Sequence, residues 1–190
     1  MNKRAELGLT NLINCYSPKP DIIGIVEAKP KNFRELPELS EYSLTGYDAH
    51  YTNVDKTNGR GTILYTASWL QASLYTPDCS ASESVWATIK LQNRETLTVG
   101  CMHRSPSSSP ANDSMMNQQI KRVATSSKAS HMLLVGDFNY PNINWNTDSS
   151  SASHAEKMFV DAISYNKGKI TSHQSSTIDL IFTNEEGIMT

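Results

Sequence analysis

"LLVGDFNYPNINW", residues 133–145, is the stretch on which the reading of this chain turns. An apolar run, Leu133 to Val135, stops at Gly136 and is followed at once by Asp137 and Asn139. A strand that only filled a core would need neither a carboxylate nor an amide just past its end. In layered α/β folds, ligand-handling groups sit where strand ends meet loops. Asp137 and Asn139 are therefore candidate functional residues. If the chain stays extended, Asn139 lies on the same side as Asp137. Its amide accepts and donates at once, which suits orienting a water or a phosphate oxygen.

Working outward, "DIIGIVEA" is a second short buried run, and it delivers Glu27 at its end. Residues 2 to 16 carry Ala5, Leu9, Leu12, Ile13 and Tyr16 at helical spacing, and "SPKP" ends that helix. Residues 28 to 58 read mostly as loop. "GTILYTASWL", "SVWATIKL" and "TLTVGCMHR" read as strands, with Trp69 and Trp86 expected in the core. A helix is expected over 113–127. A second is expected through Ser164, opened by a capping box in Ser153-His-Ala-Glu156. "STIDLIFT" closes the pattern as a strand with Asp179 inside it. No repeat or linker interrupts residues 1–190, and strands mixed with helices in this way predict one α/β layered domain.

Composition narrows the function classes. The net charge of −2 provides no global basic field for nucleic acid, so DNA binding would rest on a local patch. Cys15, Cys79 and Cys101 are odd in number and far apart, which supports neither a zinc knuckle nor a disulfide framework. The N-terminus has no apolar signal-type core, and no stretch approaches a membrane span. The expectation is a soluble, intracellular protein with no membrane partner.

Glu27 and Asp137 thus end two strands alike, and carboxylates on rigid strand ends can reach a hard cation such as Mg2+. That ion takes one or two protein carboxylates and keeps several waters. Asp179, inside an apolar strand, needs a partner: a metal, a histidine or a backbone donor. Each residue also has a structural reading on its own. Glu27 can simply face solvent, Asp137 can form a turn in "GDFN", and Asp179 can cap a turn.

The ordered set "PDIIGIVEA", "GTILYT", "SVWATIKL…LTVGCMHRSPSSS", "LLVGDFNYPNINW" and "STIDLIFTN" resembles the endonuclease/exonuclease/phosphatase superfamily. Within it, the set is most similar to the apurinic-like endonuclease domains of non-LTR retrotransposons of the jockey and CR1 kind. The resemblance implies a DNase I-like α/β fold: a four-layer sandwich of two mixed β-sheets flanked by helices, incomplete here at both termini. It also implies a Mg2+-dependent phosphodiesterase, with Mn2+ as a substitute, that nicks DNA beside a reverse transcriptase in the parent polyprotein. An active copy would work in the nucleus. By resemblance, Glu27 and Asp137 serve the metal, Asp137 also positions or deprotonates the attacking water, and Asn139 orients water and phosphate. Asp179 supports the site from behind, and Arg104 faces the backbone phosphate. His103 stands where the family writes a tyrosine, and unlike tyrosine it titrates near neutrality. Trp145 closes the loop after "GDFN".

Other departures bear on activity. The family's opening asparagine strand and its closing serine-aspartate-histidine motif are missing from this sequence, and the segment before "STIDL" looks shortened. His173 and His154, in polar loops, read as surface residues rather than substitutes for the missing histidine. The expectation is weak or absent nicking. The rival readings are a catalytically dead remnant and a phosphoesterase of the same superfamily acting on another phosphate substrate.

Overall fold

A computed structural model describes residues 3–30, 38–56, 59–79, 81–126, 130–143, 153–164, 169–172 and 179–183, with residues 3–7, 93 and the last two segments as backbone. Three of the strands form one sheet: β1 (Ile22–Ile25), β2 (Tyr47–Thr52) and β3 (Thr62–Ala67), in the order β1-β3-β2. Six form the other: β4 (Ser73–Tyr75), β5 (Ser84–Lys90), β6 (Thr96–His103), β7 (His131–Asp137), β8 (Lys169–Ser172) and β9 (Asp179–Thr183). Their order is β4-β5-β6-β7-β9-β8. The helices are α1 (Lys3–Asn14), α2 (Pro110–Thr125) and α3 (His154–Ser164).

The layering follows from the two-residue period of the strands. Leu64 on β3 faces Val85, Ala87, Ile89, Val99, Cys101 and Leu133 of the larger sheet, and these form the inter-sheet core. Their chain neighbours point outward. Ile63 and Tyr65 pack with Ile13 of α1, whereas Trp86, Met102 and Leu134 pack with Ile120 of α2 and Phe159 of α3. The order of layers is α1, small sheet, large sheet, then α2 with α3: the four-layer sandwich expected. β3 is buried along its whole length because it is covered on both faces. The larger sheet is mixed, with β6 and β7 parallel and α2 as the crossover between them. The smaller sheet is antiparallel in both described pairings, rather than mixed as expected.

α2 begins before the expected Asp113 because the Ser109 hydroxyl accepts from Asn112 N and Pro110 occupies the first turn. The capping box of α3 forms as expected, with Ser153 N donating to Glu156 Oε2 at 2.6 Å and Glu156 N to Ser153 Oγ at 3.3 Å. Trp86 is buried in the core. Trp69, expected there too, is 70% exposed, in a 3-10 turn after β3 where its indole N–H donates to Asp21 Oδ1. The region read as loop, 28–58, contains β2. β4 and β8 were not expected either. Trp145 and His173 lie outside the described residues.

Candidate active site

The site is built at one end of the inter-sheet layer. β6 and β7 run parallel with His103 opposite Asp137, and β9 places Asp179 opposite Asp137 on the other side. His103, Asp137 and Asp179 thus occupy one row across three neighbouring strands. On β6, His103 shares the face of Val99 and Cys101; on β7, Asp137 shares that of Leu133 and Val135. Both therefore lie on the face turned toward the small sheet. The side chain of Asp179 is outside the described residues, so its backbone position is all that is fixed.

Gly136 makes this row possible. Its φ is +147°, and a Cβ there would stand 1.9 Å from Met102 O. Only glycine lets β7 approach β6 so closely and still deliver Asp137 at its end. The chain then turns sharply. Asn139 adopts a left-handed conformation at φ 49°, and its N–H donates to Asp137 Oδ1 at 3.1 Å. Asn139 Nδ2 donates to Arg104 O at 2.8 Å. Asp137 and Asn139 are thereby held as one unit, with the amide's donor turned inward.

The small sheet contributes Glu27, two residues beyond β1. Its φ is 54°, and the following residues continue the ladder, with Ala28 N donating to Gly61 O and Lys29 N to Arg60 O. Glu27 Oε1 lies 3.4 Å from His103 Nε2, and Glu27 Oε2 accepts from Arg60 Nη1. His103 itself is buried. Its Nε2 is within ion-pair distance of Glu27, but neither ring nitrogen makes a hydrogen bond. A buried, unbonded ring nitrogen is costly, by about 1–3 kcal/mol, and so marks a place where a ligand or water is wanted. Sequence reasoning missed Arg60 and its neighbour Glu83, whose Oε1 accepts from Arg60 N at 3.2 Å and whose carbonyl accepts from His103 N. The available signal was position: "NGRG" sits directly before β3, alongside the end of β1.

Arg104 departs from its expected role. Its Nε and Nη2 donate to the two carboxylate oxygens of Asp113 at 2.9 and 3.0 Å, and Nη1 donates to Asn139 O at 3.1 Å. The guanidinium carbon also lies 4.0 Å from the centroid of the Tyr140 ring. Burial acts to lower the Arg104 pKa, and the hydrogen bond and charge of Asp113, together with Tyr140, more than reverse it. Burial in the same cluster pushes the Tyr140 hydroxyl up to about 12. Arg104 thus braces the Asp137–Tyr140 turn from behind instead of facing a phosphate.

His154 is exposed at the start of α3 and borders a groove of about 900 Å³ between α2 and α3. Glu27, His103, Asp137 and Asn139 do not line that groove. Among the described residues, no three His, Cys, Asp or Glu side chains are grouped to cage a metal. That is compatible with a cation held by one or two carboxylates and water, and Glu27 already attracts a cationic group. No helix among the described residues is long and apolar enough to cross a membrane.

Residues 97–189 match the model of a family described as endonuclease-reverse transcriptase. No curated protein sequence matches the chain. Among solved structures, the chain is similar to the endonuclease domain of TRAS1, a telomere-specific non-LTR retrotransposon: 17% identity, 94% of this chain and 77% of that one, TM-score 0.61. It is similar to an AP endonuclease from Leishmania major, at 13% identity over 95% and 74% of the two chains, TM-score 0.63. It is also similar to the catalytic domain of human Nocturnin, at 16% identity over 96% and 75%, TM-score 0.58. The chain carries the fold of the endonuclease/exonuclease/phosphatase superfamily, and over residues 97–189 its sequence matches the endonuclease-reverse transcriptase family.

Proposed function

We infer that the chain is a phosphodiesterase domain of the DNA-nicking, retrotransposon type, working with Mg2+ or Mn2+. The observation that carries this reading is the contact of Glu27, from the small sheet, with His103 of the large one, the residue paired with Asp137 across β6 and β7. The family match over the second half of the chain favours DNA as the substrate and a reverse transcriptase as the neighbouring activity.

Glu27, half-exposed at its strand end, is the residue that would hold the cation, with Asp137 as the second carboxylate. When bound, the cation supplies charge to polarise the phosphate and stabilise the leaving oxygen. Asp137 is the base for the attacking water. Its Oδ1 is fixed by Asn139 N–H, which sets the direction in which a proton is taken. Asn139, with its Nδ2 committed to Arg104 O, offers its carbonyl end to orient that water. His103 provides a buried ring nitrogen beside Glu27, where it would steady the cation-holding carboxylate.

Hydrolysis itself is the test. Incubated with Mg2+, the chain is expected to convert supercoiled plasmid to the nicked form at a measurable, if slow, rate. Asp137→Ala should remove that conversion by about 10²-fold or more, as loss of a positioned base does. Mg2+-dependent nicking at an unchanged rate in Asp137→Ala would contradict the assignment.

A further inference from the structure

Arg104, committed to Asp113, is not placed to take a phosphate. Arg60 is placed to do so. Its backbone is pinned on three sides: its N–H donates to Glu83 Oε1, its carbonyl accepts from Lys29 N, and the carbonyl of its neighbour Gly59 accepts from Lys29 Nζ at 2.9 Å. Lys29 is itself buried, so this anchor is internal. The Arg60 side chain is the opposite case. It is 43% exposed, and its guanidinium rests on Glu27 Oε2, itself 40% exposed. An exposed ion pair of this kind is weak and readily exchanged. The backbone fixes where the guanidinium can reach, and the weak pair leaves it able to move.

We propose that Arg60 is the phosphate-binding arginine of this site, held on Glu27 until a divalent cation competes for that carboxylate and then handed to a backbone phosphate of the nucleic acid. This rests on the reading of Glu27 as the cation-holding residue. The competition is electrostatic. Glu27 has one oxygen facing His103 and the other occupied by Arg60, so a second cation on this carboxylate meets the guanidinium charge. Once displaced, the guanidinium lies beside the same site with donors free for a phosphate, and an arginine fork fits phosphate oxygens in pairs. Arg60 therefore opposes cation binding and favours substrate binding. No purely structural role for the residue predicts that pair of opposite signs.

The experiment measures two affinities in the full chain. Mn2+ alone is titrated, followed by its electron paramagnetic resonance signal. A short DNA duplex is titrated with Ca2+ present and again with chelator. Arg60→Gln should bind Mn2+ several-fold more tightly than the wild type, with Arg60→Lys close to the wild type because it keeps the charge. With Ca2+, Arg60→Gln should bind the duplex more weakly, and the slope of log affinity against log salt should fall by about one phosphate contact. With chelator, the variant and the wild type should bind DNA alike, because Arg60 is then still on Glu27. Unchanged or weakened Mn2+ binding in Arg60→Gln overturns the proposal, as does an equal loss of DNA affinity with and without Ca2+. Glu27→Gln separates the two ideas. If it binds Mn2+ as the wild type does, the reading of Glu27 fails and the proposal falls with it. If it loses Mn2+ while Arg60→Gln leaves the affinity unchanged, only the proposal fails.

Discussion

At Arg104 a buried guanidinium and the buried Asp113 carboxylate meet through two parallel hydrogen bonds, with a third from Nη1 to the Asn139 carbonyl. Removing one partner of such a pair leaves an uncompensated charge in the interior, which costs about 3–5 kcal/mol. Arg104→Met and Asp113→Leu singly should each destabilise the fold by that order in urea titrations, and the double variant should recover much of the loss. Equal and additive losses would mean that the pair is not the unit it looks to be. "HRSP" made Arg104 legible as a functional residue, and it does bear on the site. It bears on it through the turn at Asn139, and the sequence could not reveal this because Asp113 meets it only once Pro110–Thr125 is a helix packed against that turn. His103, by contrast, was legible at its position. What the sequence lacked was its neighbour, since Glu27 reaches it only across the gap between the sheets.

Among the elements, α3 carries its own lock. Glu156 accepts from Ser153 N within the capping box and from Asn142 N in the loop that follows the site. Burial acts to raise its pKa, but the hydrogen bonds from Ser153 and Asn142 outweigh this and hold it below the ordinary value of 4.5. Because the folded-state value is the lower one, the stabilisation is present above about pH 4.5 and is lost as pH falls through the folded value. Glu156→Gln should thus lower stability by about 1 kcal/mol at pH 7, with the gap closing as the solution is acidified below about pH 4. A gap constant from pH 7 to pH 3 would show that the charge is not involved. This box was readable because all its parts lie within four residues. β2 was readable in principle too: Tyr47, Ala49 and Tyr51 alternate with Asp48 and His50, the period of a half-buried strand. β4, three residues long with Leu74 exposed, has no such pattern and owes its existence to pairing with β5. Trp69 was misplaced because β3 ends at Ala67 and the 3-10 turn Ser68–Leu70 carries the indole out of the sheet.

For the whole molecule, the two apolar runs that end in Glu27 and Asp137 were legible as strands, and the motif order pointed to a layered fold. That Glu27 would reach His103, the residue paired with Asp137, was not legible from composition or spacing. It depends on stacking β1 over β6 and β7, with Leu64, Cys101 and Leu133 filling the space between. The pairing of Arg60 with Glu27 needed the same closure. In the proposed function these two strand ends serve one cation-dependent site. A ligand that binds only the native state stabilises it by mass action, by about 2.7 kcal/mol at a hundredfold excess over its Kd. For a chain of this size that is about 5–10 °C in Tm. The most direct measurement is Tm with and without Mn2+ for the wild type, Glu27→Ala and Asp137→Ala. A rise of that order is expected in the wild type and none in either variant. A rise that persists undiminished in both variants would place the ion elsewhere and contradict the proposed function.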